Sequence, residues 1–258
     1  IVEEVRRHDG CGVIVYALSR KETEAIAAKI REKGLNAAFY HAGMSPEERE
    51  RVQSRFAREE INIVVATVAF GMGIDRSNIR AVIHAAMPRS IEHYQQETGR
   101  AGRDGEPAEC VLFHSYADVD RWRALARQSF EEAVRLGGDS DALRESFRAQ
   151  EELLQDMNRL ATGMRCRHRA IVTYFGGGYP DAACGACDVC LGEIEVLSDS
   201  TELARKILSG VARVNQGFGV GHVAEVLCGG ESQAILRWRH HELSTWGLLR
   251  EHSRKDVV

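Results

Sequence analysis

Gly12-Val13-Ile14-Val15-Tyr16-Ala17-Leu18-Ser19-Arg20-Lys21-Glu22 is a β-branched apolar run that ends on a helix start signal. Ser19 followed three residues later by Glu22 makes a capping box. A strand over Gly12–Ala17 therefore hands over to a helix across residues 20–33, which Gly34 can terminate. The same unit recurs downstream. Ala37–His41 is a second strand candidate, and Ser45-Pro46-Glu47-Glu48 starts a second helix, with Val52 and Phe56 one turn apart on its buried side. Ile61–Ala66, Ala81–Ala85 and Glu109–Phe113 are further strand candidates, and their alternation with helical patterns predicts βαβ units around a parallel sheet. In doubly wound sheets ligands sit beyond the carboxyl ends of the strands, where Ser19, His41, Thr67 and the Gly71–Asp75 loop emerge.

At 258 residues, 44% hydrophobic and 28% charged, the chain is long enough for one sizeable core plus one or two smaller units. No uncharged apolar run approaches the roughly 20 residues needed to cross a bilayer. No signal-peptide pattern opens the chain. The expectation is a cytoplasmic protein with no membrane partner, associated with the nucleoid if bacterial. A net charge of −4 excludes a generally basic coat, so any nucleic-acid affinity must come from a local face. The lysines are Lys21, Lys29, Lys33, Lys206 and Lys255, and none follows a glycine, so no phosphate-cradling GxxxxGK[ST] loop is present. An acidic DExH-type box is also missing. Beginning at Ile1 and ending at Val258 as a helix pattern starts, the chain reads as an excised fragment.

Gln95-Gln96-Glu97-Thr98-Gly99-Arg100-Ala101-Gly102-Arg103-Asp104-Gly105 sets two arginines three residues apart among glycines and amides. Arginine is an always-charged fork of donors matched to phosphate oxygens, and small neighbours allow close approach, so the stretch reads as a polyphosphate site. The other reading is a solvated turn with two surface arginines. Tyr16-Ala17-Leu18-Ser19-Arg20, Tyr40-His41-Ala42-Gly43-Met44 and Val64-Val65-Ala66-Thr67-Val68-Ala69-Phe70-Gly71-Met72-Gly73-Ile74-Asp75 precede it in order. In that order and spacing these segments resemble helicase motifs IV, V and VI of superfamily 2, in the wording of the RecQ family of DNA helicases.

The resemblance implies a RecA-like second helicase lobe, residues 1–118, in an ATP-dependent 3'-to-5' DNA helicase acting in recombination and repair. It implies that Ser19, Arg20, His41 and Thr67 touch single-stranded DNA. Asp75, Gly73 and Gln96 would lie on the ATP side, with Gln96 relaying between nucleotide and DNA. Arg100 and Arg103 would be catalytic, Arg103 as the arginine finger. ATP and Mg2+ would be held mainly by a first lobe of the same parent chain, so the fragment alone is expected not to hydrolyse ATP. From the residues by themselves, Ser19 is as readily a plain helix cap, and a lone histidine such as His41 is more often structural.

Residues 119–196 read as a helical platform and a metal module. Trp122, Leu125, Leu143, Phe147, Leu153, Leu154 and Leu160 recur at helical intervals, and Gly137-Gly138-Asp139 breaks the run and caps the next helix. Cys166, Cys184, Cys187 and Cys190 have the spacing of a closed four-thiolate site, which predicts structural Zn2+. An iron–sulfur cluster is the competing reading. The remaining thiols, Cys11, Cys110 and Cys228, read as ordinary buried residues. Arg165, Arg167 and Arg169 around Cys166, with Arg159 upstream, are positioned either to grip DNA phosphates or to form a solvated face.

Residues 197–258 follow a polar break at Ser198-Asp199-Ser200-Thr201. Leu203, Ile207, Val211 and Val214 mark one helix, Val220–Leu227 a second and His240–Trp246 a third. This resembles the winged-helix part of the RecQ C-terminal region, a duplex-DNA module, here with its recognition helix and wing apparently truncated and with reduced stability expected. The fold expectation is thus α/β, a parallel-sheet lobe followed by a helical zinc module and a partial winged helix. Two alternatives stand beside the helicase: a non-hydrolysing zinc-containing DNA-binding or regulatory module on the same scaffold, and a different superfamily 2 motor. The cysteine cluster weighs against the latter.

Overall fold

The computed structural model describes residues 1–70, 76–180, 183–194 and 199–258. Gly73 and Asp75, with the rest of the Gly71–Asp75 loop, and the 196/197 boundary lie outside those residues. The chain divides into two compact units, Ile1–Leu191 and Gly192–Val258.

In the first unit the elements run α1 (Val2–Arg6), β1 (Gly12–Tyr16), α2 (Arg20–Glu32), β2 (Ala37–Tyr40), α3 (Pro46–Ala57), β3 (Ile63–Ala66), β4 (Ile79–His84), α4 (Ile91–Thr98) and β5 (Glu109–Leu112). They continue with α5 (Tyr116–Arg135), α6 (Ser140–Thr162), α7 (Arg167–Tyr174) and α8 (Asp188–Leu191). Among the described residues five strands form one sheet in the order β2-β3-β1-β4-β5, every neighbouring pair parallel. Because side chains alternate across a strand, β1 feeds two cores. Ile14 and Tyr16 face a layer containing Phe56 of α3, whereas Val13 and Val15 face Ala27 and Ile30 of α2 and Val5 of α1. Phe56 is wholly buried, which contributes roughly 1.5–3 kcal/mol.

Both expected capping boxes form. The Ser19 and Ser45 side chains accept from the N–H of Glu22 and Glu48, whose carboxylates accept from the cap backbone. Residues 91–98 form a helix not predicted from the sequence, α4, which Ser90 caps by accepting from the His93 N–H. The chain leaves β1 toward β2 and leaves β4 toward β5, so the sheet changes direction between β1 and β4, which opens a crevice at their carboxyl ends.

α5 and α6 form the expected platform, packed on α4 through Met87, Ile91, Val119, Leu154, Met157 and Leu160. The 118/119 boundary falls within α5, inside one compact unit. Asp139 caps α6 by accepting from the Asp141 and Ala142 N–H groups. Leu125 departs from the core stripe and is exposed. Cys110 is also exposed, on edge strand β5, and Cys11 and Cys228 are half-buried, which corrects their reading as buried thiols.

The second unit carries α9 (Ser200–Arg213), α10 (Val220–Leu227), α11 (Gln233–Arg237) and α12 (Arg254–Val257). Val223, Val226, Leu227, Ile235, Leu249 and Val257 share its buried core. The third helix lies at α11 rather than His240–Trp246. That later segment starts as a short 3-10 turn at His240–Glu242, because Arg239 adopts a left-handed φ of 58° and ends the preceding helix. No strand occurs among the described residues of this unit.

Candidate functional site

The crevice between β1 and β4 is a cleft of about 250 Å3 whose wall includes Tyr16, Leu18, Thr67, Met87, Arg89 and Trp122. Two of these positions are fixed from outside the sheet. The Trp122 indole N–H donates to the Met87 carbonyl at 2.8 Å, and the Met87 N–H donates to Asp118 at 3.2 Å, so α5 clamps the loop between β4 and α4. Arg121 reaches Glu22 at 3.0 Å and ties α5 to the first turn of α2.

The residues expected at the DNA side gather at this edge with different freedoms. Thr67 follows β3, its N–H donating to the Tyr40 carbonyl at 3.2 Å, and lines the cleft. Arg20 is exposed and lies against Gly43, where an added Cβ would meet its guanidinium at 2.9 Å. The Ser19 hydroxyl is engaged by Glu22, accepting from its N–H at 3.2 Å and donating to its carboxylate at 3.1 Å, as a cap does. His41 is buried, stacked on Phe39 at 5.5 Å, with Nε2 2.9 Å from Glu24. The geometry supports the structural reading of this histidine, because a strand contact would have to displace Glu24. Arg89, which the sequence reading missed, stands exposed at the cleft, its guanidinium 2.7 Å from His93 Nε2. Nothing in Met87-Pro88-Arg89-Ser90 marks it, since a single arginine before a cap carries no pattern.

On the other side, α4 ends at the glycine-rich turn. Arg100 is 7% exposed, packed inward rather than held in a solvated turn, and its N–H donates to the Glu97 carbonyl at 3.4 Å. Arg103 is exposed, with Nε donating to the Gly99 carbonyl at 3.1 Å. Gln96 is exposed on α4. Burial raises the Tyr16 phenol well above its ordinary pKa against the pull of the Arg100 guanidinium, which hydrogen-bonds it. His84 Nε2 lies 2.7 Å from Glu97 Oε2 in the interior, a pair the sequence reading also missed.

The sulfurs of Cys166, Cys184, Cys187 and Cys190 all lie within 4.8 Å of one another. The Arg167, Arg169 and Ala186 N–H groups donate to Cys187, Cys166 and Cys184 at 3.4, 3.5 and 3.4 Å, which favours thiolates. The Arg169 amide heads the causes that bring the Cys166 thiol down to about 7. Four converging sulfurs with amide donors fit a closed zinc site, and these four residues would hold the ion. Arg165 and Arg169 are exposed, as an anion-gripping face requires. Arg167 is not available for that role. Its Nε and Nη2 reach Asp188 at 2.9 and 3.0 Å, and Nη1 donates to the Leu160 and Gly163 carbonyls at 2.5 and 2.6 Å, so it is a structural tie of the metal module. Arg159 pairs with Asp156.

A parallel-sheet lobe with its crevice at β1 and β4, then a four-cysteine module, then a small helical unit defines a helicase carboxyl-terminal lobe with a zinc module attached. Models of three protein families match in that order: the helicase conserved C-terminal domain over residues 1–105, RecQ zinc-binding over 116–191 and the RQC domain over 195–258. The chain belongs to the RecQ family. It is 40% identical over 242 residues to the ATP-dependent DNA helicase RecQ of Haemophilus influenzae, covering 94% of this chain and 37% of that protein. It is 38% identical to the Bacillus subtilis protein of the same name, covering 95% and 39%. The match to the ATP-dependent helicase SGS1 of Saccharomyces cerevisiae is 32% identical and covers 95% and 17%. The chain thus spans little more than a third of the bacterial relatives it matches. No helix among the described residues is long and apolar enough to cross a membrane.

Proposed function

We propose that this chain works as the second motor lobe, zinc module and RQC region of an ATP-dependent 3'-to-5' DNA helicase active in recombination and repair. The observation that carries the reading is the placement of Thr67 and the exposed Arg20 and Arg89 at the strand-end edge, with Arg100 and Arg103 at the end of α4 in the same lobe. In the proposed cycle ATP and Mg2+ are held mainly by the first lobe of the parent protein and close it onto this one. Arg103 stabilises charge on the transferring phosphoryl group. Arg100, packed beneath, supports the nucleotide side. Thr67 and Arg20 hold and release the backbone of single-stranded DNA, while Arg165 and Arg169 and the RQC region contact the flanking DNA, duplex included. Gln96, exposed on α4, is the proposed relay between the two ligands. Gly73 and Asp75 complete the proposed nucleotide side. Zinc has a structural role, and the cytoplasm or bacterial nucleoid is the proposed setting.

The test is DNA-stimulated ATP hydrolysis by the full-length protein with Arg103→Ala. The expected loss is about three orders of magnitude or more, roughly 4 kcal/mol of transition-state stabilisation, with single-strand binding retained. Equal hydrolysis by variant and wild type would move the finger elsewhere. A wild type that binds DNA without hydrolysing ATP would favour a binding module.

A further inference from the structure

Tyr16, His84 and Glu97 form a buried polar network at the wall of the cleft, on the side of the arginine turn, to which the proposed cycle gives no DNA or nucleotide contact. Tyr16 and His84, the last residues of β1 and β4, stand in register, and their rings stack at 5.4 Å and 23°. The Tyr16 hydroxyl donates to the Phe70 carbonyl at 3.0 Å, and the Phe70 N–H donates to the Thr67 carbonyl at 3.0 Å, so Tyr16 holds the turn that begins at Thr67. The Tyr94 ring also packs against His84, tilted by 50° at 5.1 Å, and Nε2 meets Glu97 at 2.7 Å. The side chains of His84 and Glu97 are 1% and 7% exposed. Glu97 then accepts the Arg100 N–H at its own carbonyl.

An imidazole and a carboxylate buried together are no better for stability than an apolar pair of the same volume, because desolvation offsets their attraction. What the pair adds is direction. Nε2 and the carboxylate oxygen must meet at one separation, which fixes α4 along its axis relative to the end of β4, and therefore fixes where Arg100 stands. The Tyr16 ring leans on the same imidazole while its hydroxyl grips the turn, so a displacement of the turn is passed through the stacked rings to α4.

We propose that Tyr16, His84 and Glu97 are positioning residues that couple the Thr67–Phe70 turn to Arg100, so that a DNA strand seated at the turn is registered on the nucleotide side. The proposal rests on the helicase reading of this lobe. Tyr16→Phe keeps the ring and its stacking and removes the hydroxyl, with its bond to Phe70 and its contact to the Arg100 guanidinium. Glu97→Ala removes the partner of His84, and Glu97→Gln keeps an oxygen to accept from it.

In the full-length protein, ATP hydrolysis with and without an oligothymidylate strand, strand affinity, zinc content and thermal midpoint are measured for each variant. Tyr16→Phe and Glu97→Ala are expected to lower the ratio of DNA-stimulated to DNA-free hydrolysis about 5-fold or more, the lower end of coupling between linked sites. Strand affinity and zinc content stay at the wild-type level, and Glu97→Gln recovers most of the ratio. Wild-type ratios in Tyr16→Phe and Glu97→Ala, or losses that only track the thermal midpoint, would overturn the coupling while leaving the helicase reading intact. A wild-type protein without DNA-stimulated hydrolysis would overturn both.

Discussion

Arg167 holds Asp188 with both arms of its guanidinium, at 2.9 and 3.0 Å, and so links the residue after Cys166 to the residue after Cys187 without any metal. Arg167 also holds the Asp188 carboxyl below its usual range. This fork closes the same chain segments that the four thiols close.

Removing the fork should therefore weaken the metal module rather than DNA binding. Arg167→Ala strips Asp188 and the carbonyls of Leu160 and Gly163 of their donor, an expected cost of about 2–3 kcal/mol. Thermal unfolding should show a lower midpoint, and a chromogenic chelator should extract zinc faster than from the wild type. Metal analysis of the untreated protein should give zinc rather than iron. Iron would restore the cluster reading of the same thiols.

Arg165 and Arg169 should behave in the opposite way. Alanine at both positions leaves the midpoint unchanged and weakens single-strand binding, with the slope of log affinity against log salt becoming shallower by about 1.4 for two lost phosphate contacts. Fluorescence anisotropy across a salt series measures the slope. A slope equal to that of wild type would return these arginines to a solvated face.

In the second unit Nε2 of His222 lies 2.8 Å from Nδ1 of His240, beneath the ring of Phe218. Burial, with the neighbouring His222 charge adding to it, pushes the His240 pKa below its ordinary value. A histidine depressed in the fold binds protons more readily when unfolded. Its contribution is therefore complete above the unfolded value of about 6.5 and is lost as pH falls through the lower folded value. Calorimetry of the RQC unfolding step should show a midpoint that drops below pH 6.5, and His240→Gln should flatten that dependence. A midpoint insensitive to pH in the wild type would argue against it.

The strands were legible because each is a short, mostly apolar run, β-branched in β1, β3 and β4, that soon meets a cap or a glycine, and the structure moves their ends by no more than two residues. The helix caps Ser19 and Ser45 were legible for the same reason, as signals confined to four residues. The pairing of His84 with Glu97 was not, because it depends on the register of β4 against β1 and on α4, a helix hidden in a stretch read for its arginines. Arg167 was misassigned because its partner Asp188 is remote in sequence, whereas periodicity reports only near neighbours. The third helix of the last unit was misplaced because the hydrophobic spacing of His240–Trp246 does not reveal that Arg239 turns left-handed.

The thiols that meet come from two places, one at the start of α7 and three around the start of α8. An ion held by both acts as a crosslink, closing a loop of the chain in much the way a disulfide does. By loop-closure entropy, closing a loop of about 15–20 residues removes roughly 3 kcal/mol worth of freedom from the unfolded ensemble. Part of what zinc does for this module would then be exerted on a state in which none of its helices exists.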